Sequence, residues 1–299
     1  MTQHSHPNRG HNFMLALALT GLIFLAEVAG GLWTGSLALL ADAGHVFMDT
    51  FALGLSYLAL RAAQWPPDER HTYGYHRLQI LAAFINGGSL LIIAFEILRE
   101  AWQRWQQPRP IAAGPMLLIA VIGLIVNLLV ARLLHEHDHD DVNTRSAFLH
   151  VLGDALASVG VIGAGIVIFF TGWTWLDPLI SVVIAVLILL SSGRLLKETL
   201  HILDEGVPAG MSSTQIQTAI GSVPGVKAIH DLHVWTIGPG YVALSAHVLL
   251  DDQTLSATDR PMREIKQLLR EQFGIEHTTI QLECSNCEAT GWCTPQQRM

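Results

Sequence analysis

The sequence predicts an α-helical membrane protein of six transmembrane helices followed by a small α+β domain. Three observations carry that expectation. Of 299 residues, 51% are hydrophobic and only 14% are charged, whereas a soluble domain carries about a quarter charged residues. Six apolar stretches are each long enough to cross a bilayer, near Phe13–Trp33, Leu37–Leu60, Leu78–Ala101, Ala112–Leu134, Ala147–Phe170 and Leu176–Leu196. From about residue 201 the composition turns soluble. The chain therefore divides into an N-terminal tail (1–12), a membrane domain (13–200) and a C-terminal domain (201–299).

Turn signals separate the spans. Gly35 follows the first, Pro66-Pro67 the second, and Thr171-Gly172 the fifth, while Pro108, Pro110 and Pro115 punctuate the approach to the fourth. The polar start, MTQHSHPNRGH, leads into a full-length span and not into a cleavable signal. Arg9, Arg61, Arg70, Arg77, Arg132, Arg145, Arg194 and Lys197 mark one set of ends, against Arg99, Arg104 and Arg109 on the other. The positive-inside rule makes the first set cytoplasmic and, with an even number of spans, places both termini there.

In the C-terminal part, Ser212–Ser222 reads as a helix with Ser212 as N-cap. Val226–Trp235 and Tyr241–Leu250 read as a hairpin about Gly238-Pro239-Gly240. Met262, Ile265, Leu268, Leu269 and Phe273 form a helical stripe within Ala257–Phe273, and Thr278–Leu282 reads as a last strand. The order α-β-β-α-β implies helices on one face of a sheet.

Bulk chemistry excludes several classes. A net charge of -8 leaves no basic face for nucleic acid. There is no Gly-x-x-x-x-Gly-Lys-[Ser/Thr] loop for a nucleotide motor. The three cysteines, Cys284, Cys287 and Cys293, are an odd number crowded into the tail. That is a poor disulfide framework and suits a reducing compartment. Fifteen histidines, several of them clustered, point toward metal handling.

Two spans carry ionisable residues where hydrocarbon penalises them by about 2.5–3.5 kcal/mol each. The second contains Asp42, His45 and Asp49 (ADAGHVFMDTFA), and the fifth contains His150 and Asp154 (AFLHVLGDALAS). His-x-x-x-Asp puts an imidazole and a carboxylate one turn apart on one helix face. Two such helices facing each other supply two nitrogens and two oxygens, the tetrahedral N/O set that Zn²⁺ takes. Magnesium, calcium and manganese prefer larger, oxygen-rich shells. The two segments share His-Val-x-x-Asp-x-x-Ala, an internal echo of the kind seen where repeats meet in transporters. In low dielectric such a site is stable when it holds a divalent cation or protons, and metal binding must displace protons. Alternating exposure of the site would therefore exchange metal for protons.

The remaining polar residues in or near the spans are Glu27, Asn86, Glu96, Asn127 and Asp177. Asn86 and Asn127 read as interhelical hydrogen-bond partners. Asp177 reads as a carboxylate complementing the dipole of its own helix. Asp42 reads equally as a relay for metal or protons and as a cap of a neighbouring helix.

The chain resembles the cation diffusion facilitator family of metal/proton antiporters, and most of all its bacterial zinc exporters. The resemblance rests on GSLALLADAGHVFMD, RHTYGYHRLQILAAFING, AFLHVLGDALASVG, IHDLHVWTIG, LSAHV and IEHTTIQLE. It implies a homodimer in the bacterial inner membrane, six spans and a ferredoxin-like cytoplasmic domain, with transport ligands at His45, Asp49, His150 and Asp154. It also implies cytoplasmic metal ligands at His230, His247 and Glu283, with Cys284 and Cys287 in the tail, and a structural role for His233. Gln281 stands where some relatives have a histidine on the last strand, which puts a full two-metal cluster in question. Asp68 and His71 match part of a surface site of some relatives, with Tyr75 where a second histidine is sometimes found. The Zn²⁺ is thus both cargo and a structural or regulatory ion. Relatives with aspartate in place of the first histidine tend to accept a wider set of metals.

Other readings remain beside this one. The same carrier is compatible with Cd²⁺, Co²⁺, Ni²⁺ or Fe²⁺, and a membrane metal sensor would bind without transport. His135, His137 and His139, with Asp138, Asp140 and Asp141, read equally as a zinc-collecting loop and as a solvated linker. His135-Glu136-x-x-His139 matches the zinc-protease pattern. It lies at a helix end and arises readily from alternating histidine and acid.

Overall fold

The computed structural model describes residues 8–135 and 142–284, without the side chains of 8–17, 131, 133–154 and 156. Six long helices come first: α1 Asn8–Thr34, α2 Leu37–Ala63, α3 Arg77–Gln106, α4 Ala113–His135, α5 Val142–Thr171 and α6 Leu176–Leu203. Then follow α7 Ser213–Gly221, β1 Val226–Gly238, β2 Tyr241–Leu250, α8 Asp259–Phe273 and β3 His277–Glu283. Among the described residues α2, α3, α4 and α6 are long and apolar enough to span a bilayer, and Ala18–Thr34 and Ala157–Thr171 are shorter apolar helices. The chain forms two compact units, residues 1–55 with 85–195 and residues 56–84 with 196–299.

In the first unit the core is built from small residues. Ala38 and Ala41 on α2, Ala94 on α3, Ala120 on α4 and Ala185 on α6 are buried together with Leu39, Met116, Val161 and Ile188. In lipid there is no hydrophobic drive between helices, so close backbone approach must supply the packing energy. Gly30 shows this most clearly: a Cβ there would lie 2.3 Å from the Ile119 side chain of α4. Large apolar side chains such as Leu32, Phe95, Leu118, Phe170 and Leu187 stay exposed, a surface that acyl chains and not water would cover. Trp175 meets Trp105 edge-to-face at 6.4 Å and stacks on Trp173 at 6.0 Å, as in the aromatic belt at a membrane interface.

Asp177 lies in the first turn of α6, as the sequence reading expected, and its carboxylate reaches a second helix. It caps α2. Its carboxylate accepts hydrogen bonds from Ser36 Oγ (2.5 Å), Leu37 N (2.7 Å) and Ala38 N (3.2 Å). Ser36 Oγ in turn accepts from Leu39 N. Arg104 near the end of α3 lies 3.7 Å from the same carboxylate and also donates to the Gly35 carbonyl. The reason is geometric. The start of α2 exposes backbone N–H groups that neither lipid nor the core can satisfy, and a fully buried Asp177 beside a guanidinium supplies them. The expected role of Asn86 and Asn127 as hydrogen-bonding glue is not seen. Asn86 Oδ1 and Asn127 Nδ2 are buried without partners among the described residues, and small-residue packing does that work.

In the second unit α7 starts at the predicted cap, with Ser212 Oγ accepting from Gln215 N. The strands are ordered β1-β2-β3, with β1 and β2 antiparallel and β2 and β3 parallel across the α8 connection. Pro239 and Gly240 form the two-residue hairpin link, Gly240 at φ +71°. Ile216 and Ile220 of α7 and Ile265 and Leu269 of α8 cover Val234, Leu244, Ala246 and Val248 on one sheet face. The α2–α3 connection belongs to this unit as well. Tyr73 packs on His277 and His76 on Tyr241, and Arg77 pairs with Glu205 at 3.0 Å.

Asp177→Ala is expected to lower stability by about 3 kcal/mol, since it strips a charged cap and part of the counter-charge of a buried arginine. Ser36→Ala should cost only about 1 kcal/mol. Thermal unfolding of the solubilised protein measures both, and equal midpoints for Asp177→Ala and wild type would contradict the capping role.

Candidate metal centres

On α2 the predicted pair is formed as the spacing requires. His45 Nε2 lies 3.8 Å from Asp49 Oδ2, one turn on. Their predicted counterparts His150 and Asp154 lie on α5, in the stretch whose side chains are outside the described residues. What is described is the contact beside them. Ser158 on α5 donates a 3.2 Å hydrogen bond to Asp42 on α2, both side chains buried. Asp42 thus ties α5 to α2.

The second cluster is on the open face of the sheet. His230 on β1 pairs across the ladder with His247 on β2, and Glu283 lies at the end of β3. Strand alternation alone would put His230 on the same face as Leu232 and Val234, toward the helices. A register shift between His230 and His233 inserts one residue into β1 and turns His230 outward. Asp231, at φ +53°, takes up that bulge.

The ligand atoms of His230, His247 and Glu283 all lie within 4.8 Å of one another. Glu283 Oε1 is 2.9 Å from His247 Nδ1, and Glu283 Oε2 is 3.2 Å from His230 Nε2. Yet His230 Nε2 and Glu283 Oε2 are buried and make no hydrogen bond. Buried polar atoms normally have partners. Tetrahedral zinc holds its N and O donors about 3.4 Å apart, so this trio fits a zinc ion with one position left for a further ligand. Gln281, which takes the position of a possible extra histidine, donates to Glu283 Oε1 at 2.8 Å. Cys284 follows Glu283 and is exposed. Cys287 and Cys293 lie outside the described residues, as do His137, His139 and the acidic residues of that loop.

Asp231 escaped the sequence reading. Its Oδ2 lies 3.7 Å from His247 Nε2 and its Oδ1 2.9 Å from His233 Nε2. At 3.7 Å the carboxylate is beyond hydrogen-bond reach of His247, but it lies at the far nitrogen of a ring whose Nδ1 faces Glu283, the place from which a carboxylate orients a histidine that binds metal. The signal was present as an acid between two histidines in IHDLH, but only the bulge makes it legible.

The Asp68–His71 loop is already satisfied from within. Asp68 accepts from Tyr75 Oη (2.7 Å), His71 N (2.7 Å) and Arg70 N (2.8 Å). The Tyr75 hydroxyl first, then the His71 amide, hold its carboxyl down at about 2, and the same bond pushes the Tyr75 phenol up. Tyrosine here completes a hydrogen-bonded turn.

Comparison with known proteins places these features together. Residues 13–203 match the family described as the cation efflux transmembrane domain, and residues 208–285 match the cation efflux protein cytoplasmic domain. The chain is 42% identical over 288 residues to the metal cation efflux system protein CzcD of Cupriavidus metallidurans, covering 95% of this chain and 91% of that one. It is 42% identical over 290 residues to the zinc transporter ZitB of Pectobacterium atrosepticum, covering 95% and 89%. It is also 42% identical over 287 residues to a cadmium, cobalt and zinc/H(+)-K(+) antiporter of Bacillus subtilis, covering 94% and 91%. A solved structure of the metal-bound C-terminal domain of the Cupriavidus CzcD transporter is 36% identical, covering 24% of this chain and 99% of that one at a TM-score of 0.23.

In a background lacking the α2 and α5 carboxylates Asp49 and Asp154, Glu283→Gln is expected to abolish zinc binding at the sheet. Asp231→Asn, which preserves the left-handed turn, should weaken it about 10–100-fold. Chelator-competition titration measures this, and unchanged affinity in Asp231→Asn would remove the orienting role.

Proposed function

The chain belongs to the cation efflux family of membrane metal transporters, and from that premise we propose that it exports Zn²⁺ from the cytoplasm in exchange for protons. The carrying observation is the Asp42–Ser158 hydrogen bond. The start of α2 meets the start of α6 through Asp177 and the end of α3 through Arg104, and the end of α1 meets the start of α4 through Ala112 N to Thr34 O. That alternation makes α2 and α5 antiparallel. From the contact, His45 and Asp49 lie three and seven residues forward on α2, and Asp154 and His150 four and eight residues back on α5. At 1.5 Å per residue the paired levels differ by only about 1.5 Å. His45 then stands level with Asp154, and Asp49 with His150.

The ligand set His45, Asp49, His150 and Asp154 favours zinc on donor chemistry. The name of the Bacillus relative, with cadmium and cobalt beside zinc, supports a second reading in which the same site also carries those ions. Histidine titrates near neutrality, so loss of the metal is compensated by protons taken up by ligands that must be deprotonated to bind it. His230, His247 and Glu283, with Cys284 or Cys287 as the further donor, would hold a structural or regulatory zinc. The match to a cytoplasmic domain and the distribution of Lys and Arg support a homodimer with both termini in the cytoplasm.

Zinc uptake into proteoliposomes under an imposed pH gradient tests the whole reading. Wild type should accumulate zinc and dissipate the gradient. Asp49→Ala and Asp154→Ala should each lose transport by at least about 100-fold while remaining folded dimers, and retained flux in either would remove that residue from the ligand set.

A further inference from the structure

Glu27 on α1 has no part in the chemistry above, and its setting is unusual. It is 1% exposed in the interior of the membrane unit. Neither carboxylate oxygen has a hydrogen-bond partner. Gly123 of α4 lies directly against it, so that a Cβ there would sit 2.6 Å from Glu27 Oε1. The charged group facing it from α2 is Asp42, and among the described residues no lysine, arginine or histidine hydrogen-bonds to either Glu27 oxygen. Two carboxylates close together in low dielectric cannot both ionise, and a lone buried anion without donors is costlier still. Asp42 receives the Ser158 hydroxyl, whereas Glu27 receives nothing, so of the two Glu27 is the one to hold a proton.

We propose that Glu27 is a proton-binding site of the transport cycle, separate from the metal ligands and coupled to them through Asp42. The inference rests on the zinc/proton exchange proposed above. Asp42 is three residues before His45, about one turn. Zinc arriving at His45 and Asp49 brings two positive charges to that level of α2. The Glu27 O–H bond then breaks, its proton leaves to water and the carboxylate remains, its charge offset by the metal. When zinc departs, the carboxylate recovers a proton from water. No oxidant or further reactant is required. Gly123 makes room for the carboxyl, and burial keeps it neutral in the empty state.

The test is proton release on zinc addition to the solubilised full-length protein in weak buffer with a pH indicator, wild type against Glu27→Gln. The expected result is about one proton fewer per zinc bound in Glu27→Gln, with a zinc affinity that matches wild type at low pH and falls increasingly below it as pH rises, because the variant lacks the carboxylate that deprotonation supplies. Equal proton release with zinc binding intact overturns the inference and leaves the antiport reading standing. A wild type that binds zinc without releasing any proton overturns both. Should Glu27→Gln fail to fold, infrared difference spectroscopy of the wild type decides. Zinc should bleach a protonated-carboxyl C=O band that moves in Glu27→Asp, and the absence of any such band rejects the proposal.

Discussion

A polar group inside hydrocarbon needs a partner that water cannot provide, and the membrane unit is arranged around that requirement. The start of α2 is the clearest case. Its free N–H groups are met by a carboxylate from α6, itself beside Arg104 of α3, so one buried network joins three helices. A helix whose start is held this way has a fixed height. That height sets the level of Asp42, and Asp42 in turn meets Ser158 on α5. The proposed ligands on α2 and α5 then stand level because of two hydrogen-bonded contacts that lie outside the ligand set.

The sheet face solves a related problem by a different route. Three donors from three strands converge with no hydrogen bond among the described residues to His230 Nε2 or Glu283 Oε2. Here a β-bulge does what helical periodicity does in the membrane. It brings His230 to the face where His247 and Glu283 already point, and it places Asp231 behind His247. The membrane pair sits among helices packed through alanine and glycine. The sheet trio sits on a hydrogen-bonded ladder backed by a packed apolar core.

How much of this was legible beforehand depends on the range of the interaction. The hairpin at Pro239-Gly240 and the Ser212 cap follow from neighbours a few residues apart, and each is found where the local signals put it. His45 and Asp49 fall one turn apart for the same reason. The cap that Asp177 gives α2 was not legible because its partners lie about 140 residues away, and a carboxylate at a helix start looks the same from sequence whether it serves one helix or two. Asp231 was missed because a bulge is invisible in a pattern of period two. Asn86 and Asn127 were given hydrogen bonds by residue type alone, and their buried atoms do not make them.

By itself the sequence determined that the chain crosses a membrane in six helices, ends in an α+β domain, and repeats an imidazole and a carboxylate at helical spacing. These follow from composition and from periods of 2 and 3.6 residues, which the backbone imposes on any chain. Only the tertiary structure decided which helix Asp177 caps, which face His230 takes, where α5 meets α2 and that Glu27 is enclosed without a partner. Each of those depends on groups far apart in the chain, brought together because buried polarity has to find a partner or hold a proton.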